Sequence, residues 1–73
     1  MSLRNHSWNI VVKILTKHYD FTVVRQKGNH ISLVDNDRKR LVVIPRHNPL
    51  KEPTLKSILD QAGVSKKDFI KHL

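Results

Sequence analysis

Near the start of the chain, apolar residues recur at helical spacing. Trp8, Val11, Val12 and Leu15 stand at i, i+3, i+4 and i+7, and Tyr19 continues the stripe. The spacing predicts a helix from about Ser7 to His18, with Asn5 or Ser7 as its cap. Ile10 and Ile14 lie beside the stripe, so a broad buried face is expected. The period then drops to two. Phe21 to Gln26 is rich in aromatic and β-branched residues, which suits a strand. Lys27-Gly28-Asn29 reads as a tight hairpin turn, because glycine and asparagine tolerate positive φ. From His30 to Asp35 the strand pattern resumes, with Ile31 and Leu33 on one face and His30, Ser32 and Val34 on the other. Asp35-Asn36-Asp37-Arg38 makes a second polar turn. Lys39 to Ile44 is the third strand, stopped by Pro45, and the three form an antiparallel meander.

Arg46 to Pro53 is a loop containing Pro49 and Pro53. After it, Thr54 has the chemistry of an N-cap, and Leu55, Ile58, Leu59 and Ala62 form the apolar stripe of a second helix that Gly63 ends. Ser65 and Asp68 have capping-box spacing, with Val64 and Phe69 as the staple of a short last helix from about Lys66 to His72. The order α-β-β-β-α-α segregates helices from strands. It predicts an α+β domain with a three-stranded antiparallel sheet packed on helices, the other sheet face being left to water or a ligand. No repeat or internal boundary interrupts residues 1–73, which read as a single domain.

Composition narrows the class of partner. Fourteen Lys and Arg against six Asp and Glu give a formal charge of +8 on 73 residues. Such a surface attracts polyanions, with nucleic acid first, an anionic membrane second and an acidic protein third. Charge serving solubility alone is the plain alternative. No stretch approaches the roughly 20 apolar residues of a membrane span, so no membrane insertion is expected. With nucleic acid ranked first, the expectation is an RNA partner and no membrane. There is no cysteine, hence neither disulfide nor thiolate zinc site, and a cytoplasmic location fits that absence.

Five histidines raise the question of a metal. No two stand at the i, i+4 spacing of a helical metal site, and the few carboxylates fall mostly in turns, so neither metal nor other cofactor is expected. Ser32 is two residues from His30 on the same strand face, too distant for the short hydrogen bond of a nucleophile and its base. His30 follows the glycine turn directly, with Lys27 close by. A neutral imidazole beside a phosphodiester can take the proton of a ribose 2′-hydroxyl, which then attacks the adjacent phosphorus. Cations stabilise the charge that develops, and Arg25, Lys27, Arg46 and Lys51 are available. Taken alone, a strand histidine is more often a structural or solvent-exposed residue than a catalytic one. His47, after Pro45-Arg46, is a second acid/base group, a phosphate ligand or an ordinary loop residue. Lys56 and the N-terminus of the helix near Thr54 extend the basic region. Trp8, Tyr19, Phe21 and Phe69 fall mostly on core stripes, so recognition is expected to rest on phosphates and shape more than on base stacking.

Three blocks resemble one family. Val23-Val24-Arg25-Gln26-Lys27-Gly28-Asn29-His30 resembles the "RQKGSH" segment of the HicA (YcfA-like) mRNA interferase toxins. Val42-Val43-Ile44-Pro45-Arg46-His47 resembles their strand ending in "VP.H", and Pro53 to Ser65 resembles their "GTLRSILKQAGIS" segment, followed by the matching aromatic Phe69. The resemblance implies a double-stranded-RNA-binding-domain-like (dsRBD-like) fold and ribosome-independent cleavage of mRNA. It also implies His30 as the catalytic residue, Gly28 as the turn glycine, and a HicB-type antitoxin protein that covers the site. A non-catalytic double-stranded-RNA-binding module on the same fold, or an element that recruits an acidic protein, are the alternatives. The chain departs from the family at Asn29, where serine is usual, at Pro53, where glycine is usual, and at Tyr19-Asp20-Phe21, where Leu-Gly-Phe is common.

Overall fold

The computed structural model describes residues 6–37 and 39–73. The element order is α1 (Trp8–His18), β1 (Phe21–Lys27), β2 (His30–Asp35), β3 (Leu41–Pro45), α2 (Glu52–Ala62) and α3 (Lys66–Ile70). The strands form an antiparallel sheet in the order β1-β2-β3. This is the α+β arrangement that the hydrophobic pattern predicts.

Burial follows strand parity. Ile31 and Leu33 of β2 and Val42 and Ile44 of β3 are buried together with Phe21 on the inner face. Val11, Ile14 and Leu15 from α1, Leu55, Ile58, Leu59 and Ala62 from α2, and Phe69 from α3 close over that face. Leu50, from the loop before α2, is fully buried in the same core. Ile14 is therefore central to the α1 stripe, whereas Val12 is only half-buried and Ile10 stays 43% exposed.

Element ends show where local chemistry overrides the pattern. Ser7 is the N-cap of α1 but makes no side-chain cap bond, and the alternative, Asn5, lies outside the described residues. β1 runs one residue further than expected, to Lys27, which leaves Gly28-Asn29 as a two-residue loop. β3 does not begin at Lys39. The Asp35 carboxylate accepts the backbone N–H groups of Lys39 and Arg40 at 2.8 and 3.2 Å, which holds both in the turn. Arg38 in that turn is outside the described residues. Nor does Pro45 stop the strand before itself. It pairs with His30 at the end of β3, an edge strand, where a missing N–H is tolerated.

Thr54 is not the cap of α2. Lys51 is, without a side-chain cap bond, and the helix starts two residues before Thr54. Pro53 suits the first turn through its fixed φ, and Glu52 complements the positive end of the helix dipole. Gly63 ends α2 in the left-handed region at φ 71°. The guanidinium of Arg40 lies over it so closely that a Cβ at Gly63 would sit 2.6 Å from Arg40 Cζ. α3 begins as expected, with Ser65 Oγ accepting from the Asp68 N–H at 3.1 Å. It ends at Ile70 instead of His72. The last three N–H groups donate to carbonyls three residues back, a tighter winding than α-helix.

The junction between α1 and β1 explains one departure from the resembling family. Asp20 stands where that family has glycine, and its φ is 64°. The left-handed region costs an L-residue about 1–2 kcal/mol, less for Asp than for most. Asp20→Gly removes that strain and keeps the backbone bond from the Asn36 N–H to the carbonyl of residue 20. Glycine's larger unfolded-state entropy offsets part of the gain. The expected net effect is a stabilisation of about 0.5–1 kcal/mol, read as a rise in thermal midpoint of roughly 2–6 °C.

Candidate nucleic-acid interface

His30 owes its position to the hairpin that precedes it. In the loop Gly28-Asn29, only Gly28 has positive φ, at 57°. Positive φ at the first loop position alone is the pattern of a type II′ turn, which calls for glycine there. Nothing lies within 4 Å of a Cβ placed on Gly28, so backbone conformation and not crowding is what demands the residue. The turn pairs Lys27 with His30, and His30 pairs on its other side with Pro45. Cross-strand partners share a face, so Lys27, His30 and Pro45 form one row at the end of the sheet. His30 and Lys27 are both exposed, on the face opposite the helices.

A β-bulge decides which of the β1 residues join that face. The register steps from Val23↔Leu33 to Arg25↔Ser32, leaving Val24 as the extra residue. Without it, strict alternation from buried Phe21 would turn Val23, Arg25 and Lys27 all toward the core. With it, the parity flips, and Arg25 and Lys27 stand beside Ser32 and His30. The sequence carried a trace of this, since Val23-Val24 breaks the alternation, but the bulge was not anticipated.

The end of β3 is tied to the same hairpin. The backbone N–H of Arg46 donates to the carbonyl of Asn29. Its guanidinium, however, turns to the helix side and lies 5.0 Å from the centre of the Trp8 ring. Trp8 is half-buried and packs at the rim of the core. Its backbone N–H donates to Asn48 Oδ1 at 3.0 Å, so a loop side chain forty residues away does what the Ser7 side chain does not. The Leu50 N–H donates to the His6 carbonyl at 2.8 Å beside it. The loop carrying Arg46 and His47 is thereby fastened to the start of α1.

Among the expected site residues, the fold brings together Arg25, Lys27, Gly28 and His30, with the Arg46 backbone adjoining. His47 follows in the exposed loop. Lys51 and Lys56 are exposed on α2 and its cap, and among the described residues no hydrogen bond or ion pair joins either to the hairpin. The sequence also gave no sign that His18 and His72 stack, with ring centres 4.0 Å apart and planes inclined by 18°. Among the described residues, no group of three His, Asp or Glu side chains is arranged to hold a metal ion.

A family model described as the HicA toxin of bacterial toxin-antitoxin systems matches residues 8–64. The chain belongs to the HicA toxin family. The match runs from the first residue of α1 through the end of α2, so it takes in the helix where the three blocks of resemblance are silent. No curated protein matches the chain. A HicA-family chain acts as the toxin of a pair and has an antitoxin as its partner. No helix of the described residues is long and apolar enough to cross a membrane.

Asn48 offers a direct test of how the loop is held. Asn48→Ala leaves the first N–H of α1 without its acceptor, at an expected cost of about 1 kcal/mol, the usual value for a lost cap. Urea unfolding would show a lower midpoint at unchanged slope, because the surface exposed on unfolding stays the same.

Proposed function

We propose that this HicA-family toxin is a metal-independent, ribosome-independent endoribonuclease acting on mRNA, with His30 as its general base. The observation that carries the reading is the row Lys27–His30–Pro45 on the helix-free face, with Lys27 and His30 exposed and His30 paired on both sides. A polymer substrate needs an open surface, and His30 is exposed on the sheet face, outside the cavity along α1. Family membership supports a toxin that acts on a cellular target.

In this reading, an imidazole nitrogen of His30 removes the proton of a ribose 2′-hydroxyl. The 2′-oxygen bonds to the adjacent phosphorus, and the bond to the 5′-oxygen breaks. The products are a 2′,3′-cyclic phosphate and a 5′-hydroxyl, the latter protonated by water or by His47. Lys27 and Arg25, placed on the same face by the bulge, stabilise the added negative charge. Gly28 leaves the turn open to a close approach of the backbone. Arg46, Lys51 and Lys56 extend the positive field that attracts the strand. The antitoxin is of HicB type and covers this face, in a cytoplasmic setting.

The decisive measurement is cleavage of labelled RNA in excess chelator. His30→Ala is expected to lower the rate by roughly 10²–10⁴-fold, with little change in circular dichroism or RNA affinity. Wild-type rates from the alanine variant would remove His30 from the mechanism. Intact RNA at high wild-type protein, with salt-sensitive binding, would favour a non-catalytic RNA-binding module. A second measurement concerns the bulge. If Arg25 and Lys27 each neutralise a phosphate, Arg25→Gln and Lys27→Gln each flatten the plot of log affinity against log salt by about 0.7 for single-stranded RNA. An unchanged slope would take the residue off the RNA path.

A further inference from the structure

On the helix layer, a cavity of about 400 Å³ opens along α1. Ile10, Ile14 and Leu73 give it an apolar floor, and Lys13, Lys17, His6, His18 and His72 line the rest. His30 is not part of it, and no acidic side chain lines it. Lys13 and Lys17 are four residues apart on one helix face, an arrangement that repels itself. The nearby acid Asp68 is engaged by Lys71 at 3.7 Å, and its field also reaches Tyr19. Tyr19 stands edge-on to His72, at 5.5 Å and 90°. The cavity thus joins two lysines to an apolar floor and a stacked ring wall. Pockets of this size hold small organic ligands, and a bare phosphate would leave the floor empty.

We propose that this cavity is a second ligand site, which takes a nucleotide through its phosphate at Lys13 and Lys17 and through its base against Ile10, Ile14 and the His18–His72 stack. Flat bases are suited to such a wall, because every base presents a π-face. The site has its own titrating reporter. Burial first, then the charges of His72 and Lys17, hold the His18 pKa below the ordinary histidine value. An anion between these groups counters the two charge effects and draws the His18 titration upward. By linkage, the anion binds more tightly as pH falls through that range, with His6 and Lys71 adding to the positive surroundings and Asp68 opposing them. The site does not depend on RNA cleavage, so its failure and the failure of the endoribonuclease reading are separate results.

The test is an NMR titration of the full chain with adenosine 5′-monophosphate, inorganic phosphate and a short 2′-deoxy oligonucleotide, which lacks the attacking hydroxyl and stays intact. Adenosine monophosphate is expected to shift the Ile10 and Ile14 amides and the His18 and His72 ring protons, and to raise the His18 titration midpoint. Phosphate alone should bind about tenfold more weakly. Lys13→Gln with Lys17→Gln should weaken nucleotide binding about tenfold, the scale of one charged hydrogen bond. The thermal midpoint should not fall, since like charges have been removed. Tighter binding of the oligonucleotide at the same residues would identify a nucleotide within a chain as the ligand. Equal or weaker binding would identify the free nucleotide. No shifts at these residues, unchanged affinity in the double variant, or a response to hexaglutamate alone would overturn the proposal.

Discussion

The exposed face that carries His30 depends on one extra residue in one strand. Val24 breaks the alternation of β1, and every side chain beyond it changes sides. Ahead of the bulge, Phe21 goes to the core; beyond it, Arg25 and Lys27 go to solvent beside His30. A bulge also bends and twists a strand, which makes a poor template for a further strand. β1 is an open edge of the sheet, and it carries that protection together with two cations. The opposite edge is protected differently: Gln61 of α2 accepts the N–H of Val43 at 3.2 Å. The two edges of so small a sheet are therefore handled by separate means.

A second constraint holds the loop after β3 in place. Three contacts converge at the start of α1: Asn48 on the Trp8 N–H, the Arg46 guanidinium over the indole, and the Leu50 N–H on the His6 carbonyl. Each is modest alone. An exposed cation–π contact is worth about 0.5–1 kcal/mol, and a capping bond about 1 kcal/mol. Together they fix both ends of a segment whose first residue is bonded to the β1–β2 hairpin through Asn29. Arg46 is thus shared: its backbone serves the hairpin, its side chain the helix. Arg25 and Lys27, by contrast, stand on the face of His30.

Much of this was legible in the sequence because hydrophobic period is a strong signal. The helices, the three strands, the faces of β2 and the Gly28 turn all follow from spacing and turn chemistry. The ends were less legible, since they were decided by single polar groups whose partners are distant or ambiguous. Asp35 pulls Lys39 and Arg40 out of β3, and Pro53 with Glu52 starts α2 ahead of the better capping residue Thr54. The site was legible only in outline. His30 and Lys27 are neighbours in the chain, but the orientation of Arg25 depends on a bulge, and the fate of Arg46 on an indole thirty-eight positions earlier. The His18–His72 stack depends on where the last turn folds back, which no periodicity encodes.

Charge links these parts. The chain carries a formal +8, and among the described residues only Lys71 and Asp68 form an ion pair. That pair is exposed and contributes little. A domain of this size has a limited core, so uncompensated repulsion takes a meaningful share of a small stability margin. The repulsion is relieved when a polyanion binds, and any ligand that prefers the folded state stabilises it in proportion to the logarithm of its concentration over Kd. The feature that makes the free toxin marginal is therefore the one that makes its complexes stable. On the proposed reading, an antitoxin and an RNA strand would both satisfy it if they meet at the helix-free face where Lys27 and Arg25 flank His30. On that reading, neutralising the face without a partner would strengthen the fold and weaken the function together.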